Sequence, residues 1–174
     1  MGLDRVDAVK KTAKIEPKFS VITVGGTNGK GSVCSFLETI YSKAGYSVGC
    51  YTSPHLFKFN ERIKINLAQV DDETILKSLK FIQSNKKLID LTYFEITTLA
   101  AINIFIEKKI DIAILEVGLG GRLDAVNIFE PDLSIITSLG MDHQDFLGDS
   151  IDEIAYEKSG ICRPNKHTIL NFEN

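Results

Sequence analysis

The stretch from Phe19 to Ser32, FSVITVGGTNGKGS, most constrains what this chain can fold into. Phe19 to Val24 is a short apolar run rich in β-branched residues, which reads as a buried strand. Four glycines follow within seven residues, Gly25, Gly26, Gly29 and Gly31, with Lys30 among them and Ser32 behind them. From Val33 to Ala44 apolar residues recur at three- and four-residue steps, the period of a helix. Strand, glycine loop with one lysine, hydroxyl and helix, in that order, build a phosphate cradle. Glycines let backbone N–H groups turn toward an anion, and a helix N-terminus adds partial positive charge. Lys30 then reaches the outer phosphates, and Ser32 offers a hydroxyl to Mg²⁺. The pattern departs from G-x-x-x-x-G-K-[ST] at two places: Val24 occupies the first glycine position, and Gly31 separates Lys30 from Ser32. A plain glycine turn ahead of a helix is the competing reading.

Bulk properties limit the function classes. At 174 residues the chain is long enough for one domain with a real core. A net charge of −3 provides no general field for nucleic acid or membrane, so an anionic substrate needs a local basic site. Cys34, Cys50 and Cys162 have no paired spacing and suggest reduced thiols in a cytoplasmic protein. The N-terminus has no apolar signal region, and no apolar run is long enough to span a bilayer.

Along the chain, Leu3–Ile15 reads as a helix ended by Pro17, and Ser20–Val24 as the first strand. The helix from Ser32 to Ala44 is expected to pack through Val33, Phe36, Leu37, Ile40, Tyr41 and Ala44, with Gly45 closing it. Ser47–Tyr51 is the second strand, so the first fifty residues form a βαβ unit. Thr52–Asn66 is a long loop with a short strand at Arg62–Ile65. A helix opens at Asp71 or Asp72, with Ile75, Leu76, Leu79 and Ile82 inward. Thr92–Lys108 is a helix apolar on nearly all sides, hence buried. Ile110–Val117 and Leu133–Leu139 are further strands, Ser150 caps a helix to Ile161, and Thr168–Asn171 starts a fifth strand. This order predicts an α/β fold, a mostly parallel sheet with helices on both faces.

Ligands in such sheets sit at the carboxyl ends of the strands, and the polar segments of this sequence gather there. GGTNGKGS follows the first strand, TSPH the second, Glu116 closes the third, and DHQ follows the fourth. Glu116 has the position of a Walker-B acid that holds Mg²⁺; a strand-terminal carboxylate paired with Arg122 is the alternative. His143 is a metal ligand or a structural histidine. His55 reads as a loop residue and His167 as surface. Lys158, on the last helix, reads from its own context as a solvated lysine paired with Glu157 or Glu153.

Six ordered segments together resemble one family: GTNGKGS (Gly26–Ser32), YTSPHL…FNERI (Tyr51–Ile63), LTYFE (Leu91–Glu95), LEVGLGGRLDAVN (Leu115–Asn127), SLGMDHQDFLG (Ser138–Gly148) and IAYEKSGI (Ile154–Ile161). They are similar to folylpolyglutamate synthase and its bifunctional form with dihydrofolate synthase, within the Mur ligase superfamily. The resemblance implies a P-loop ATPase domain followed by a Rossmann-like domain. It also implies an ATP- and Mg²⁺-dependent ligation of L-glutamate to dihydropteroate or folylpolyglutamate through an acyl phosphate. Carried onto this sequence, Gly26, Thr27, Asn28, Gly29, Lys30, Gly31 and Ser32 hold the ATP phosphates. Ser53 and Glu116 bind one Mg²⁺, and Glu116 and His143 a second. Lys158 matches a lysine that is carbamylated in the family. Thr92, Tyr93, Phe94 and Glu95, with Leu123, Asp124 and Ala125, match segments that bind dihydropteroate, and Asp124 also faces an incoming ammonium.

By this resemblance residues 1–174 are an incomplete N-terminal ATP-binding domain, with the C-terminal glutamate-ligase domain absent. Lys30, His143 and Lys158 take the catalytic roles. Expected partners are small molecules met by a monomer, without nucleic acid or membrane. Two alternatives remain: a truncated Mg-ATP-binding module without turnover, and a Mur-type ligase acting on a peptidoglycan precursor.

Overall fold

The structure is a computed structural model that describes residues 2–171; the stop at Asn174 lies outside them. The helices are α1 (Asp4–Thr12), α2 (Lys30–Lys43), α3 (Asp72–Asn85), α4 (Tyr93–Glu107), α5 (Gln144–Leu147) and α6 (Ile151–Ser159). The strands are β1 (Ser20–Gly25), β2 (Val48–Tyr51), β3 (Ile63–Ile65), β4 (Ala68–Gln69), β5 (Ile112–Glu116), β6 (Leu133–Ile136) and β7 (His167–Leu170). They form one sheet in the order β4-β3-β2-β5-β1-β6-β7. The five strands from β2 to β7 in that order are parallel, while β3 and β4 pair antiparallel at the edge. The sheet is therefore mostly parallel, as expected. The strand β4 has no counterpart in the sequence reading: its two residues carry no period.

Alternation along β5 sorts the core into two layers. Ile112 and Ile114 pack with Ile22, Val24, Cys34, Val48 and Cys50 beneath α2. Ala113 and Leu115 face the opposite layer, where α1, α3 and α4 cover Val21, Tyr51 and Ile63. The helix α4 is buried from Thr97 to Phe105, which explains its apolar composition on every side. Each such aliphatic or aromatic side chain contributes roughly 1.5–3 kcal/mol through burial. Polar seams fix how the helices dock. Asn103 Nδ2 donates to Ser78 Oγ at 3.0 Å, and Ser78 Oγ donates to Ala100 O at 2.9 Å. Among the described residues no helix is long and apolar enough to cross a membrane.

Two helix faces differ from expectation. On α2, Phe36 and Ile40 are exposed, as is Ala44; the buried residues are Cys34 and Glu38, with Val33, Leu37 and Tyr41 partly covered. Glu38 is tolerated inside because it accepts from Lys64 Nζ and from Leu67 N–H, both in the β3–β4 hairpin. On α3, Leu76 is exposed and Ser78 takes the inward place, held by its bond to α4.

Candidate functional site

The site forms at the carboxyl ends of β1, β2, β5 and β6. Leaving β1, the chain turns through Gly26 at φ 136° and Gly29 at φ 83°, and α2 starts at Lys30. A Cβ on Gly26 would overlap Thr137 Oγ1, so both the backbone angle and the space require glycine. The N–H groups of Thr27 and Asn28 are already paired, to Ser138 O at 2.9 Å and Ser138 Oγ at 3.0 Å. The N–H groups of Gly29, Lys30, Gly31 and Ser32 donate to no acceptor among the described residues. A helix start leaves such donors open, and they are the ones an anion can take. Ser32 lies exposed in the first turn.

Lys30 Nζ donates to Gly26 O at 3.0 Å and Thr27 O at 3.1 Å, folded back over its own loop. Lys158 Nζ donates to the same Gly26 carbonyl at 3.0 Å. Lys158 is 2% exposed, so it is no solvated surface lysine; its neighbour Glu157 pairs with Arg122 instead, at 2.7 Å. Burial pushes the Lys158 pKa down, Lys30 lowers it further, and Asp142 opposes both.

Glu116 closes β5 on the α2 side of the sheet, by parity with Ile112 and Ile114. Its Oε2 accepts from Ser53 N–H at 2.8 Å, and a Cβ at Gly31 would lie 3.7 Å from its Oε1. Its carboxylate does not pair with Arg122, which is engaged by Glu157. Burial raises its pKa, against the Ser53 N–H, Lys30 and Arg62. No group of three or more His, Cys, Asp or Glu among the described residues forms a ready metal cage. That donor set suits Mg²⁺ held by one carboxylate, a hydroxyl, water and substrate phosphates.

Beside the loop opens a cavity of about 600 Å³. Ser53, Thr92, Phe94, Glu95, Leu123, Asp124, Ala125 and His143 line it, so most of the sequence-derived substrate residues meet there. Tyr93 is exposed and packs edge-on against Phe59, outside that lining. Asp124 is buried, and its carboxylate accepts from the N–H groups of Gly118, Leu119 and Val126 at 2.9–3.0 Å. Burial raises its pKa to about 6 despite those three bonds. Glu95 closes the capping box of α4 on Thr92 and pairs with Arg5 of α1 at 2.9 Å. His143, at φ 48°, lines both this cavity and the small niche formed around Gly26, Lys30 and Lys158.

Two cationic residues in the cavity wall escaped the sequence reading. Arg5 sits on α1, and Arg62 is buried with its Nε donating to His55 Nδ1 at 2.8 Å. Arg62 lies within the FNERI segment, which was the available signal. His55 thereby acquires a specific partner instead of lying idle in its loop.

Known proteins share the fold and much of the sequence of this chain. Residues 24–174 match the family described as the Mur ligase middle domain. The chain is 50% identical, over its whole length, to dihydrofolate synthase/folylpolyglutamate synthase of Haemophilus influenzae, and covers 40% of that protein. It is 44% identical over 98% of its length to the Escherichia coli protein of the same name, again covering 40% of it. Among solved structures it is similar to E. coli FolC in complex with DHPP and ADP, with a TM-score of 0.96 at 43% identity, covering 98% of this chain and 41% of that one. It is also similar to a bifunctional folylpolyglutamate synthase/dihydrofolate synthase with Mn, AMPPNP and L-glutamate bound, with a TM-score of 0.94 at 42% identity over 98% and 42% of the two chains. The chain thus spans about two fifths of the length of these relatives.

Proposed function

The chain belongs to the Mur ligase middle-domain family, and on that premise we propose that it is the N-terminal, nucleotide-binding part of a folate-type ligase. The reaction joins L-glutamate to dihydropteroate or a folylpolyglutamate. One observation carries the reading: the substrate-sized cavity and the niche of Gly26, Lys30 and Lys158 share His143 as a common wall. A carboxylate held in the cavity therefore lies next to phosphates held on the loop. The names of the relatives, and the ADP, AMPPNP and glutamate in their complexes, support the same substrates.

A carboxylate is a poor acyl donor. Transfer of the γ-phosphoryl group breaks its bond to ADP and forms an acyl phosphate; the glutamate amine then attacks the acyl carbon and phosphate leaves. The task of the protein is positioning and charge neutralisation. The open N–H groups of Gly29–Ser32 bind the phosphate oxygens, and Lys30 leaves the loop carbonyls to meet the outer phosphate. Ser53, Glu116 and His143 hold the divalent ions, two by this reading; when bound, these neutralise charge on the phosphates. Phe94, Leu123 and Ala125 offer an apolar bed for the pteridine, and Asp124 and Glu95 its polar contacts. Buried and pushed toward its neutral amine, Lys158 meets the chemical requirement for adding CO₂ as a carbamate. Three cysteines without disulfides suit a cytoplasmic protein.

Calorimetric titration with Mg-ATP tests the first part. The expected result is saturable binding that weakens when Glu116→Ala removes the carboxylate and EDTA no longer alters what remains. An absence of heat and of thermal shift overturns the reading. Dihydrofolate formation from ATP, dihydropteroate and glutamate tests turnover. Binding without product assigns the chain as a Mg-ATP module.

A further inference from the structure

The segment that leaves β6, Thr137 to Gly140, is bonded to the glycine loop at every residue from Gly25 to Asn28 except Gly26. Thr137 N–H donates to Gly25 O at 3.0 Å. Thr27 Oγ1 exchanges bonds with Gly140, donating to its carbonyl and accepting from its N–H, both at 3.1 Å. The Asn28 backbone is held at both its N–H and its carbonyl, so the two peptide units that meet at this residue are both fixed. Its N–H reaches Ser138 Oγ at 3.0 Å, and its carbonyl accepts from Thr137 Oγ1 at 2.6 Å and Ser138 Oγ at 3.3 Å. At Gly26 the contact is steric, because Thr137 Oγ1 fills the space where a Cβ would stand.

We propose that Thr137 and Ser138 are positioning residues for the nucleotide loop. Their hydroxyls fix the Asn28–Gly29 peptide with its carbonyl turned toward β6, so the N–H groups from Gly29 onward face one anion. The proposal rests on the nucleotide reading above, and it adds two residues that need not touch the nucleotide. Orientation is the relevant quantity. A peptide free to flip would present its carbonyl oxygen to a phosphate and repel it. Preorganised donors need no rearrangement when the anion arrives. Neither residue is buried in the core: both are half-buried, and their hydroxyls bond Asn28 and, from Thr137 at 3.3 Å, the Gly25 carbonyl at the end of β1.

The 174-residue chain, Thr137→Val, Thr137→Ser and Ser138→Ala are compared by calorimetry with Mg-ADP, by melting without ligand, and by amide hydrogen exchange without ligand. Valine keeps the shape and removes the hydroxyl; serine restores it. Thr137→Val and Ser138→Ala are expected to weaken Mg-ADP about tenfold while the ligand-free melting temperature moves by only a few degrees. Thr137→Ser is expected to bind within about twofold of the unsubstituted chain. Exchange at Asn28 N–H is expected to rise about tenfold in Ser138→Ala. Equal affinity in Thr137→Val, or a loss that serine does not restore, overturns the proposal. If the unsubstituted chain binds no nucleotide, the functional reading fails. The positioning claim is then decided by exchange alone: faster exchange at Asn28 supports it, and unchanged exchange overturns it.

Discussion

Two glycine-rich loops stand side by side in this site, and they use glycine for opposite ends. In the loop from Gly25 to Ser32, Gly26 and Gly29 adopt positive φ, and the amides of Gly29, Lys30, Gly31 and Ser32 have no acceptor among the described residues. In the loop from Gly118 to Asp124, the amides of Gly118 and Leu119 are taken by Asp124, and Gly121 lies against the backbone of α6. A Cβ on Gly121 would fall 2.8 Å from Glu157 O and 2.9 Å from Lys158 O. The first loop leaves four consecutive donors open; the second spends those of Gly118, Leu119, Arg122 and Asp124 internally and packs on α6. Glycine content says only that a backbone turns tightly. Where its N–H groups go decides whether it binds.

Four substitutions press on that contrast. Lys30→Ala is expected to have the largest effect, cutting Mg-ATP affinity about 100-fold, since hydrogen bonds to charged groups are the strong ones. Calorimetry reads the loss, and circular dichroism should show the fold retained. Gly121→Ala should do the reverse, costing about 2 kcal/mol by overpacking and lowering the melting temperature by about 5 °C. If it left stability untouched, the packing role of the second loop would be wrong.

Asp124→Asn tests the internal acceptor through pH. The fold raises the Asp124 pKa from its ordinary 3.8 to about 6, so the protonated form is the one the folded chain prefers. Its contribution is full below pH 3.8 and is lost as pH rises toward 6. Between pH 7 and pH 5 the unsubstituted chain should therefore gain about 1 kcal/mol relative to Asp124→Asn, read from paired denaturant titrations. A constant gap would show that burial does not govern this carboxylate. Arg122→Ala should matter least. The Arg122–Glu157 pair is partly solvated, and its loss is expected to move the melting temperature by no more than about 2 °C.

The sheet and the placing of the site were legible because apolar periodicity and strand-end polar residues are local signals. The sequence showed strand, glycine loop and helix in the right order, and it set Glu116 at a strand end. Its failures were of partner choice. Glu38 lies inside because a hairpin brings Lys64 and the Leu67 N–H to it, and no helical period reports that. Phe36 and Ile40 belong to the apolar pattern of α2 yet stay exposed, since a wide stripe does not say which of its edges meets the sheet. Lys158 looked solvated from its own neighbours. It is buried, with a bond to the Gly26 carbonyl across 132 positions that no local pattern reports; the family resemblance gives it a role in the site but not this bond. Arg62 and His55 were missed as a pair for the same reason: seven residues apart on a loop, they have no period to betray them.

The Gly26 carbonyl has one further consequence. A carbonyl oxygen offers two lone pairs, and here two lysine Nζ groups occupy them, Lys30 from the loop itself and Lys158 from α6. They are not equivalent. Lys30 is half-buried at the start of α2, whereas Lys158 is sealed in place. A phosphate that draws Lys30 away removes one bond and leaves the other, so the loop stays moored to α6 while its lysine is released. The arrangement works as a berth with two lines, of which only one has to be cast off.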